Sequence, residues 1–212
     1  MSDSKVIIVD YGVGNLFNVE RAFAACGATT IVSHNKADIL NADRVVLPGV
    51  GAFGAAMQHL QQYDLIEALH TVVSAGKPLL AICVGAQVLL SHSEEFGSHA
   101  GLDIIEGKIV RFADDLDGKI PHIGWSALTP PKSGGWKSSC FDGLEDFEPH
   151  AYFNHSYTLV PSSPADCLAV TEYGQHKYCA AVNHANVLGC QFHLELSGAV
   201  GLKIIKNFLS KN

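Results

Sequence analysis

Cys83 ends the apolar run 79–82 and is followed two residues later by Gly85. This order predicts a buried strand, a tight turn and a helix that begins directly after the turn. A thiol on such a turn stands clear of the sheet and faces the helix N-terminus, where backbone dipoles favour the nucleophilic thiolate. A free cysteine is more often an inert core residue, but this context is that of a strand–turn–helix nucleophile elbow. The sequence therefore predicts that Cys83 is a nucleophile.

A thiol nucleophile needs a base, and the base usually needs a group that orients it. Among the eleven histidines, His193 directly follows the apolar run 187–192, at the C-terminal end of a predicted strand. Catalytic groups in open α/β sheets gather at that edge. Glu195 lies two residues further on, within reach of the imidazole. A lone histidine at a strand end is usually structural, but a His-x-Glu pair downstream of an elbow cysteine predicts a Cys83–His193–Glu195 triad.

Acyl chemistry also needs hydrogen-bond donors for the developing oxyanion. The backbone amide of Val84, directly after the nucleophile, is one natural donor. Val50 supplies a second candidate, because Gly49 and Gly51 on either side of it would let its peptide reorient. The alternative is a simple strand-to-helix turn, which explains one of these glycines better than it explains both.

The elements that must position these residues follow from the apolar pattern. The run Val6–Val9 does not alternate, which is typical of a strand buried on both faces. Further strands are predicted at 29–32, 45–47 and 78–82, and helices at 15–26 (with Asn15 as N-cap), 53–61 and 65–75. Beyond about Lys108, short strands are predicted at 151–153, 168–172, 179–183 and 187–192, and a final helix at 198–209. We predict one α/β domain over residues 1–212, with an open, mostly parallel sheet flanked by helices and additional short strands in its C-terminal half.

Composition narrows the function and the compartment. The 212 residues carry 14 Lys and Arg against 21 Asp and Glu, a net charge of −7, which disfavours binding to a nucleic-acid backbone. No window approaches the ~20 apolar residues of a membrane span, and the first apolar run is short and lacks a basic leader. The six scattered cysteines form no C-x-x-C pair. We predict reduced thiols in a cytoplasmic protein, with no metal and no cofactor.

Several segments, taken in order, resemble the class I (triad-type) glutamine amidotransferases over nearly the whole chain. They are Asp10-Tyr11-Gly12-Val13-Gly14-Asn15-Leu16, Pro48-Gly49-Val50-Gly51-Ala52-Phe53, the elbow around Cys83, Pro121-His122-Ile123-Gly124-Trp125, Tyr152-Phe153-Asn154-His155-Ser156-Tyr157 and Gln191-Phe192-His193-Leu194-Glu195. Within that family the chain is most similar to glutaminase subunits that serve histidine biosynthesis. Each segment alone is a weak signal, whereas all of them in this order are specific.

The resemblance implies a reaction and a partner. Cys83 would attack the side-chain amide of glutamine and form a glutamyl thioester, while His193, oriented by Glu195, would protonate the departing ammonia and then activate water. The amino-acid end of glutamine would be held by Gly51, Gln87, His155, Ser156 and Tyr157. The ammonia would pass to a (β/α)8-barrel cyclase or synthase subunit in a heterodimer. The segments near Asn15 and at 121–125 would lie at the interface or the mouth of the tunnel, although each could equally be core packing.

Some positions depart from the family pattern, and other functions stay open. Ala81 replaces a common glycine, and Leu194 and Leu196 replace the proline and lysine of an expected His-Pro-Glu-Lys. Proline would fix φ near −65°, whereas leucine permits that geometry without enforcing it. The chain could be a paralogue that supplies ammonia to another synthase, such as a surface-sugar amidotransferase. A cysteine hydrolase of similar fold and a non-catalytic scaffold subunit are the remaining alternatives, whereas dinucleotide binding is rejected because residues 12–17 lack the third glycine of that fingerprint.

Overall fold

The computed structural model describes residues 5–113, 118–131, 135–146 and 148–211. The opening residues 1–4, on which the prediction of no basic leader partly rests, lie outside these ranges. The strands are β1 (Val6–Val9), β2 (Thr30–Ser33), β3 (Arg44–Gly49), β4 (Leu79–Cys83), β5 (Leu90–Ser93), β6 (His99–Ala100), β7 (Ile105–Arg111), β8 (His122–Ala127), β9 (His150–His155), β10 (Tyr157–Pro161), β11 (Cys167–Tyr173), β12 (His176–His184) and β13 (Val187–Cys190). The helices are α1 (Leu16–Ala25), α2 (Lys36–Leu40), α3 (Phe53–Gln62), α4 (Ile66–Ser74), α5 (Val84–Val88) and α6 (Gly198–Ser210), with 3-10 turns at Pro164–Asp166 and Leu194–Leu196.

A parallel sheet forms the centre of the described structure, in the order β2-β1-β3-β4-β13. Strands β1, β3, β4 and β13 are buried along their whole length. This burial is expected for apolar runs without alternation, because helices cover both faces of such a sheet. Helix α1 packs against α6, and α3 packs against α5. The predicted open parallel sheet with flanking helices is confirmed.

The sheet continues through strands from the C-terminal half of the chain. Beyond β13 come β12 and β10, both antiparallel to their neighbours, then β7, β5 and β6, while β11 pairs with β12. Strands β8 and β9 form a separate antiparallel pair. The short strands predicted at 151–153, 168–172, 179–183 and 187–192 are observed as β9, β11, β12 and β13, whereas α2, β5 to β8 and β10 were not predicted.

The predicted helices match closely. Helices α3, α4 and α6 begin and end within one residue of the predicted bounds. Asn15 does occupy the N-cap position of α1, but its side chain makes no capping hydrogen bond. Its backbone angles, φ −89° and ψ 64°, are not the extended ones that aim an N-cap oxygen at the first-turn amides. The prediction that Asn15 is the N-cap residue of α1 is therefore confirmed in position, without a side-chain capping bond.

One apolar core joins the first strand to the last helix. Phe23 on α1 packs edge-on against Phe208 on α6, with ring centroids 6.4 Å apart, and both belong to the same cluster as β1. Within the described residues, no helix has the length and apolar character needed to cross a membrane.

The topology gathers the predicted functional residues at one edge. Parallel strands present their carboxyl ends together, and in such sheets ligands bind outside that edge. Strand β3 is followed by Val50, and β4 ends at Cys83, which lies in register with Gly49 on β3. Tyr11, which was not predicted to belong to the site, lies two residues after β1. Strand β13 leads into His193. The site is thus built from four neighbouring strand ends.

Candidate active site

The nucleophile elbow is a strained turn between β4 and α5. Cys83 has φ 55° and ψ −113°, a region that residues other than glycine rarely occupy. Such strain persists where the surroundings enforce it, and it is concentrated at functional sites. Here the surroundings are close: a Cβ on Gly85 would lie 2.0 Å from the Leu47 carbonyl oxygen, and one on Gly49 would lie 2.6 Å from the Gly85 amide nitrogen. The predicted strand–turn–helix geometry is present, and two glycines make it possible.

Cys83 opens onto a cavity of about 310 Å³. The predicted site residues that line it are Val50, Gly51, Cys83, Val84, Gln87, His155, Ser156, Tyr157 and His193. The cavity is also lined by four residues outside the predicted site: Glu95, Phe96, Pro121 and Asn154. Glu195 lies behind His193 rather than on the wall. The structure therefore brings all the predicted site residues together, while their individual roles remain predictions.

His193 connects Cys83 to Glu195. Its Nδ1 lies 2.8 Å from Glu195 Oε1, and the two side chains are only 9% and 2% exposed. Nε2 is not engaged by Glu195, and Cys83 lines the same cavity as His193. Burial by itself lowers the pKa of His193, but the hydrogen bonds to Cys83 and Glu195, together with their charges, raise it to about 10. The raised pKa favours an imidazolium at His193, the form that can protonate a leaving amine.

The backbone around His193 is fixed without the proline that the family pattern leads one to expect. The His193 amide donates to the Tyr152 carbonyl (2.9 Å), and the Ser197 hydroxyl donates to the His193 carbonyl (2.6 Å). The Tyr152 amide donates in turn to Ser197 Oγ (3.0 Å). Leu194, which stands where proline is expected, is buried in the core. These contacts explain how His193 and Glu195 keep their hydrogen bond although Leu194 does not restrict φ.

One wall of the cavity is tied together at the carbonyl oxygen of Tyr157. This oxygen accepts from Gln87 Nε2 at 3.1 Å and from His155 Nδ1 at 2.8 Å. Gln87 Nε2 also donates to Gln191 Oε1 at 3.1 Å, and Gln87 is almost fully buried. Both protons of the Gln87 amide are thus engaged within the protein. Gln87 therefore helps to hold the wall of the cavity in place, in addition to lining it.

Glu95 is a cavity residue that the sequence reasoning missed. It is the one carboxylate among the described residues that line the cavity, and it is 8% exposed. Its Oε2 accepts from the Phe53 amide at the start of α3, at 2.6 Å. The available signal was chemical: a site for a zwitterionic amino acid needs an anion, and Glu94 and Glu95 follow the elbow closely.

Tyr11 is a second residue that sequence reasoning did not place at the site. Its ring is fully buried, and its hydroxyl has no hydrogen-bond partner within the described part of the chain. A Cβ on Gly49 would lie 2.6 Å from this hydroxyl. Burial, and to a lesser degree the charge of Cys83, raise the pKa of Tyr11, so it stays a neutral phenol beneath the elbow. Its position two residues after β1, at the carboxyl edge, was the signal that could have found it.

The comparisons with known proteins agree with this fold and define the family. Residues 7–212 match the family model described as glutamine amidotransferase class-I. The structure of PurLQS from Thermotoga maritima superimposes with a TM-score of 0.73 at 15% identity, covering 98% of each chain, which supports the fold alone. The chain therefore belongs to the class I glutamine amidotransferases.

Relatives with higher identity define a narrower family. The imidazole glycerol phosphate synthase subunit HisH 1 of Legionella pneumophila (strain Paris) is 44% identical over 211 residues, which cover 97% of this chain and 99% of the relative. The subunit HisH of Thermosynechococcus vestitus is 42% identical over 212 residues, which cover 99% and 98%. Within the class, the chain belongs to the HisH family.

Proposed function

We propose that this protein is the glutaminase subunit of imidazole glycerol phosphate synthase, which hydrolyses glutamine and delivers the ammonia for histidine biosynthesis. Cys83 and His193 line one cavity, and His193 is hydrogen-bonded to Glu195 behind it. This arrangement, in a chain 44% identical to a HisH subunit, carries the proposal. The six free thiols agree with a reducing cytoplasm. The continuous core from β1 to α6 agrees with a single domain.

The geometry supports a two-step acyl transfer through Cys83. The sulfur attacks the amide carbon of glutamine, and the C–N bond breaks as the His193 imidazolium gives its proton to the nitrogen, which leaves as ammonia. The product is a glutamyl thioester on Cys83. Neutral His193 then takes a proton from water, the oxygen attacks the thioester, and Cys83 departs as thiolate with release of glutamate. Glu195 keeps the proton of Nδ1 in place throughout.

The tetrahedral oxyanion of each step needs two donors, and the amides of Val50 and Val84 are our candidates. Both residues line the cavity beside Cys83. Gly51 has φ 93°, a left-handed conformation that glycine adopts without strain. The Val50 peptide therefore lies between two glycines, where a change of orientation costs little. Binding of the partner selects the orientation in which this amide faces Cys83, which accounts for a low activity of the isolated subunit.

Glu95 gives the cavity a partner for the ammonium of the substrate. Its Oε2 accepts from the Phe53 amide, which leaves Oε1 as our candidate for the oxygen that pairs with the cation. Gly51, His155, Ser156 and Tyr157 complete the proposed grip on the amino-acid end.

Glu95→Gln should weaken glutamine binding more than it slows the chemistry. In this variant the amide oxygen of the new side chain still accepts from the Phe53 backbone amide. The negative charge that pairs with the ammonium of the substrate is lost. We expect the KM for glutamine to rise by about 10- to 100-fold, the range of a lost charge-assisted hydrogen bond, with a much smaller change in kcat. Steady-state kinetics measures both, and Glu94→Gln, at the exposed neighbouring position, is the matched control. Equal effects of the two variants would contradict the role of Glu95.

An apolar surface beside the site fits the partner subunit. The turn Leu194–Leu196 packs against α1 and β9. Exposed apolar side chains on these elements and on β8 are Phe17 (67%), Ile123 (58%), Trp125 (56%) and Leu196 (39%); we call these four the docking face. Exposed apolar groups of this kind mark interaction sites. The docking face includes the two segments, near Asn15 and at 121–125, that the resemblance places at the interface with a (β/α)8-barrel cyclase.

The function is tested by adding a (β/α)8-barrel cyclase subunit of the histidine pathway to the isolated chain. We expect low glutaminase activity alone and a rise of about 5- to 150-fold with the cyclase, the usual range of allosteric coupling. Trp125→Ala should raise the Kd for the cyclase by about 30-fold or more, because tryptophans that become buried in a complex dominate interface energies. The unstimulated rate should not change. The control is Ile31→Ala, which removes a 44% exposed apolar side chain on the edge strand β2.

Two outcomes would overturn parts of this proposal. Strong turnover without any partner would contradict the coupled subunit. Turnover that the cyclase does not stimulate, but that a sugar-pathway synthase does, would favour the paralogous glutaminase.

A further inference from the structure

A buried chain of hydrogen bonds leads from the β8–β9 pair to the wall of the cavity. Ser126 Oγ lies 3.0 Å from His122 Nε2, and His122 Nδ1 lies 2.7 Å from the Tyr178 hydroxyl. The same hydroxyl lies 3.0 Å from His155 Nε2. His155 Nδ1 then lies 2.8 Å from the Tyr157 carbonyl oxygen, where Gln87 also donates. The hydroxyl oxygen of Tyr178 thus links the two histidines through a single atom.

Every proton in this chain has a defined place when both histidines are neutral. A carbonyl only accepts, so His155 carries its proton on Nδ1, and its Nε2 is an acceptor. Tyr178 must then donate its single proton to His155, and its oxygen accepts from His122 Nδ1. His122 Nε2 is left as an acceptor for the Ser126 hydroxyl. All four hydrogen bonds therefore point the same way, from Ser126 towards Tyr157.

The surroundings keep both histidines neutral. His122 is 1% exposed and lies between the rings of Tyr173 (3.9 Å between centroids) and Phe153 (4.9 Å), each tilted by 14°. Burial lowers the pKa of His122 to about 4 and that of His155 to about 3, although the hydrogen bond to Tyr157 opposes the shift at His155. A charged imidazole without a counter-ion is costly in such a place.

This neutrality matters because His155 is close enough to His193 for their charges to interact. A cation at His155 would oppose the imidazolium that the proposed chemistry needs at His193. A neutral His155 with a fixed ring, by contrast, leaves that imidazolium undisturbed and braces the Tyr157 carbonyl.

We propose that Tyr178 is a positioning residue whose hydroxyl joins His122 and His155 into one directed chain, so that the wall of the glutamine cavity is held in register with the β8–β9 pair. This inference rests on the glutaminase function proposed above. Tyr178 itself does not line the cavity, and it acts through His155. Strand β8 carries Ile123 and Trp125 of the docking face. The hydrogen-bond chain therefore connects that face with the wall of the glutamine cavity.

Tyr178→Phe removes the bridging oxygen and keeps the ring. We expect the KM for glutamine to rise by about 3- to 10-fold, the range of one lost hydrogen bond, with kcat changed by less than about 2-fold. Tyr173→Phe is the matched control. The Tyr173 ring stacks on the same His122, but its hydroxyl is not part of the hydrogen-bond chain and donates to the Lys119 carbonyl at 2.8 Å. We expect this control to leave both constants within about 2-fold, the range of an exposed hydrogen bond.

A nitrogen NMR spectrum of the ¹⁵N-histidine-labelled protein shows directly which ring nitrogen of each histidine carries the proton. In the wild type, His122 and His155 should both carry the proton on Nδ1. In Tyr178→Phe, His122 should move its proton to Nε2 and donate to Ser126, because Nδ1 has lost its acceptor, while His155 stays unchanged. A wild-type His122 protonated on Nε2, or a variant with unchanged KM, would overturn the proposal.

The two proposals fail in different ways. A wild-type protein that does not turn over glutamine, with or without the cyclase, overturns the proposed function. Normal wild-type turnover with an unchanged Tyr178→Phe variant overturns only the role of Tyr178.

Discussion

Cys83→Ala should reduce glutamine hydrolysis by roughly 10⁴- to 10⁶-fold, the loss seen when a triad nucleophile is removed. No other described cysteine can take over, because Cys83 is the one that lines the cavity. A coupled assay of ammonia release, with the cyclase present, measures the loss. Cys140→Ala is the control, since that thiol is buried away from the cavity, and its turnover should match the wild type.

Cys83→Gly separates the chemistry of the thiol from the strain of the turn. This variant should be as inactive as alanine but more stable, by about 1–2 kcal/mol in the free energy of unfolding, because φ 55° and ψ −113° strain any residue with a Cβ. Urea unfolding of the two variants measures the difference. Equal stability would show that the elbow is not strained, and residual turnover in either variant would contradict the nucleophile.

Glu195→Gln should lower kcat by about 10²- to 10⁴-fold, as loss of the orienting carboxylate does in other triads. The side chain keeps its shape, but the charge that supports the His193 imidazolium disappears, so the raised pKa of His193 should fall. Kinetics with the cyclase measure kcat, and Glu172→Gln, at an exposed position on β11, is the control. A variant with wild-type kcat would contradict the orienting role.

The pH dependence of the same variant has a definite sign. His193 has a folded-state pKa of about 10 against an ordinary value of 6.5. The stability from its protonated form is therefore complete below about pH 6.5 and is lost as pH rises through about 10. The alkaline decline of kcat should follow the same loss in the wild type and move to lower pH in Glu195→Gln. An unchanged alkaline limb would show that Glu195 does not support the cation.

The candidate triad residues could be picked out from the sequence because their signals are local. Consecutive residues around Cys83 identify the elbow. The pair His193 and Glu195 comes after the apolar run 187–192. Continuous apolar runs such as β1 also predict the parallel half of the sheet well, since burial on both faces requires them. The parallel topology then brings these separate runs to one edge without further information.

The residues and elements that escaped prediction depend on contacts between distant parts of the chain. Strands β7 and β8 are half-exposed and contain glycine, so their pattern is weak. Glu95 becomes a cavity residue only because Phe53, 42 positions earlier, fixes it. His122 and Tyr178 are 56 positions apart, and no spacing rule predicts that they meet.

The effect of Leu194 was also beyond prediction from sequence. Losing the family's proline leaves the geometry of His193 open in principle. In the structure, Tyr152 and Ser197 supply the restraint through three backbone-linked hydrogen bonds. The departure at this position is compensated by neighbours that a motif does not include.

The most direct test of the central claim is mass spectrometry of the protein after treatment with a chloroketone analogue of glutamine, which alkylates a thiol that is poised to attack the substrate amide. We predict one adduct per chain, mapped to the peptide containing Cys83, with labelling slowed by free glutamine and by Glu195→Gln. An adduct on another of the six cysteines, or no adduct on a protein that still hydrolyses esters, would contradict the glutaminase and favour a cysteine hydrolase of similar fold.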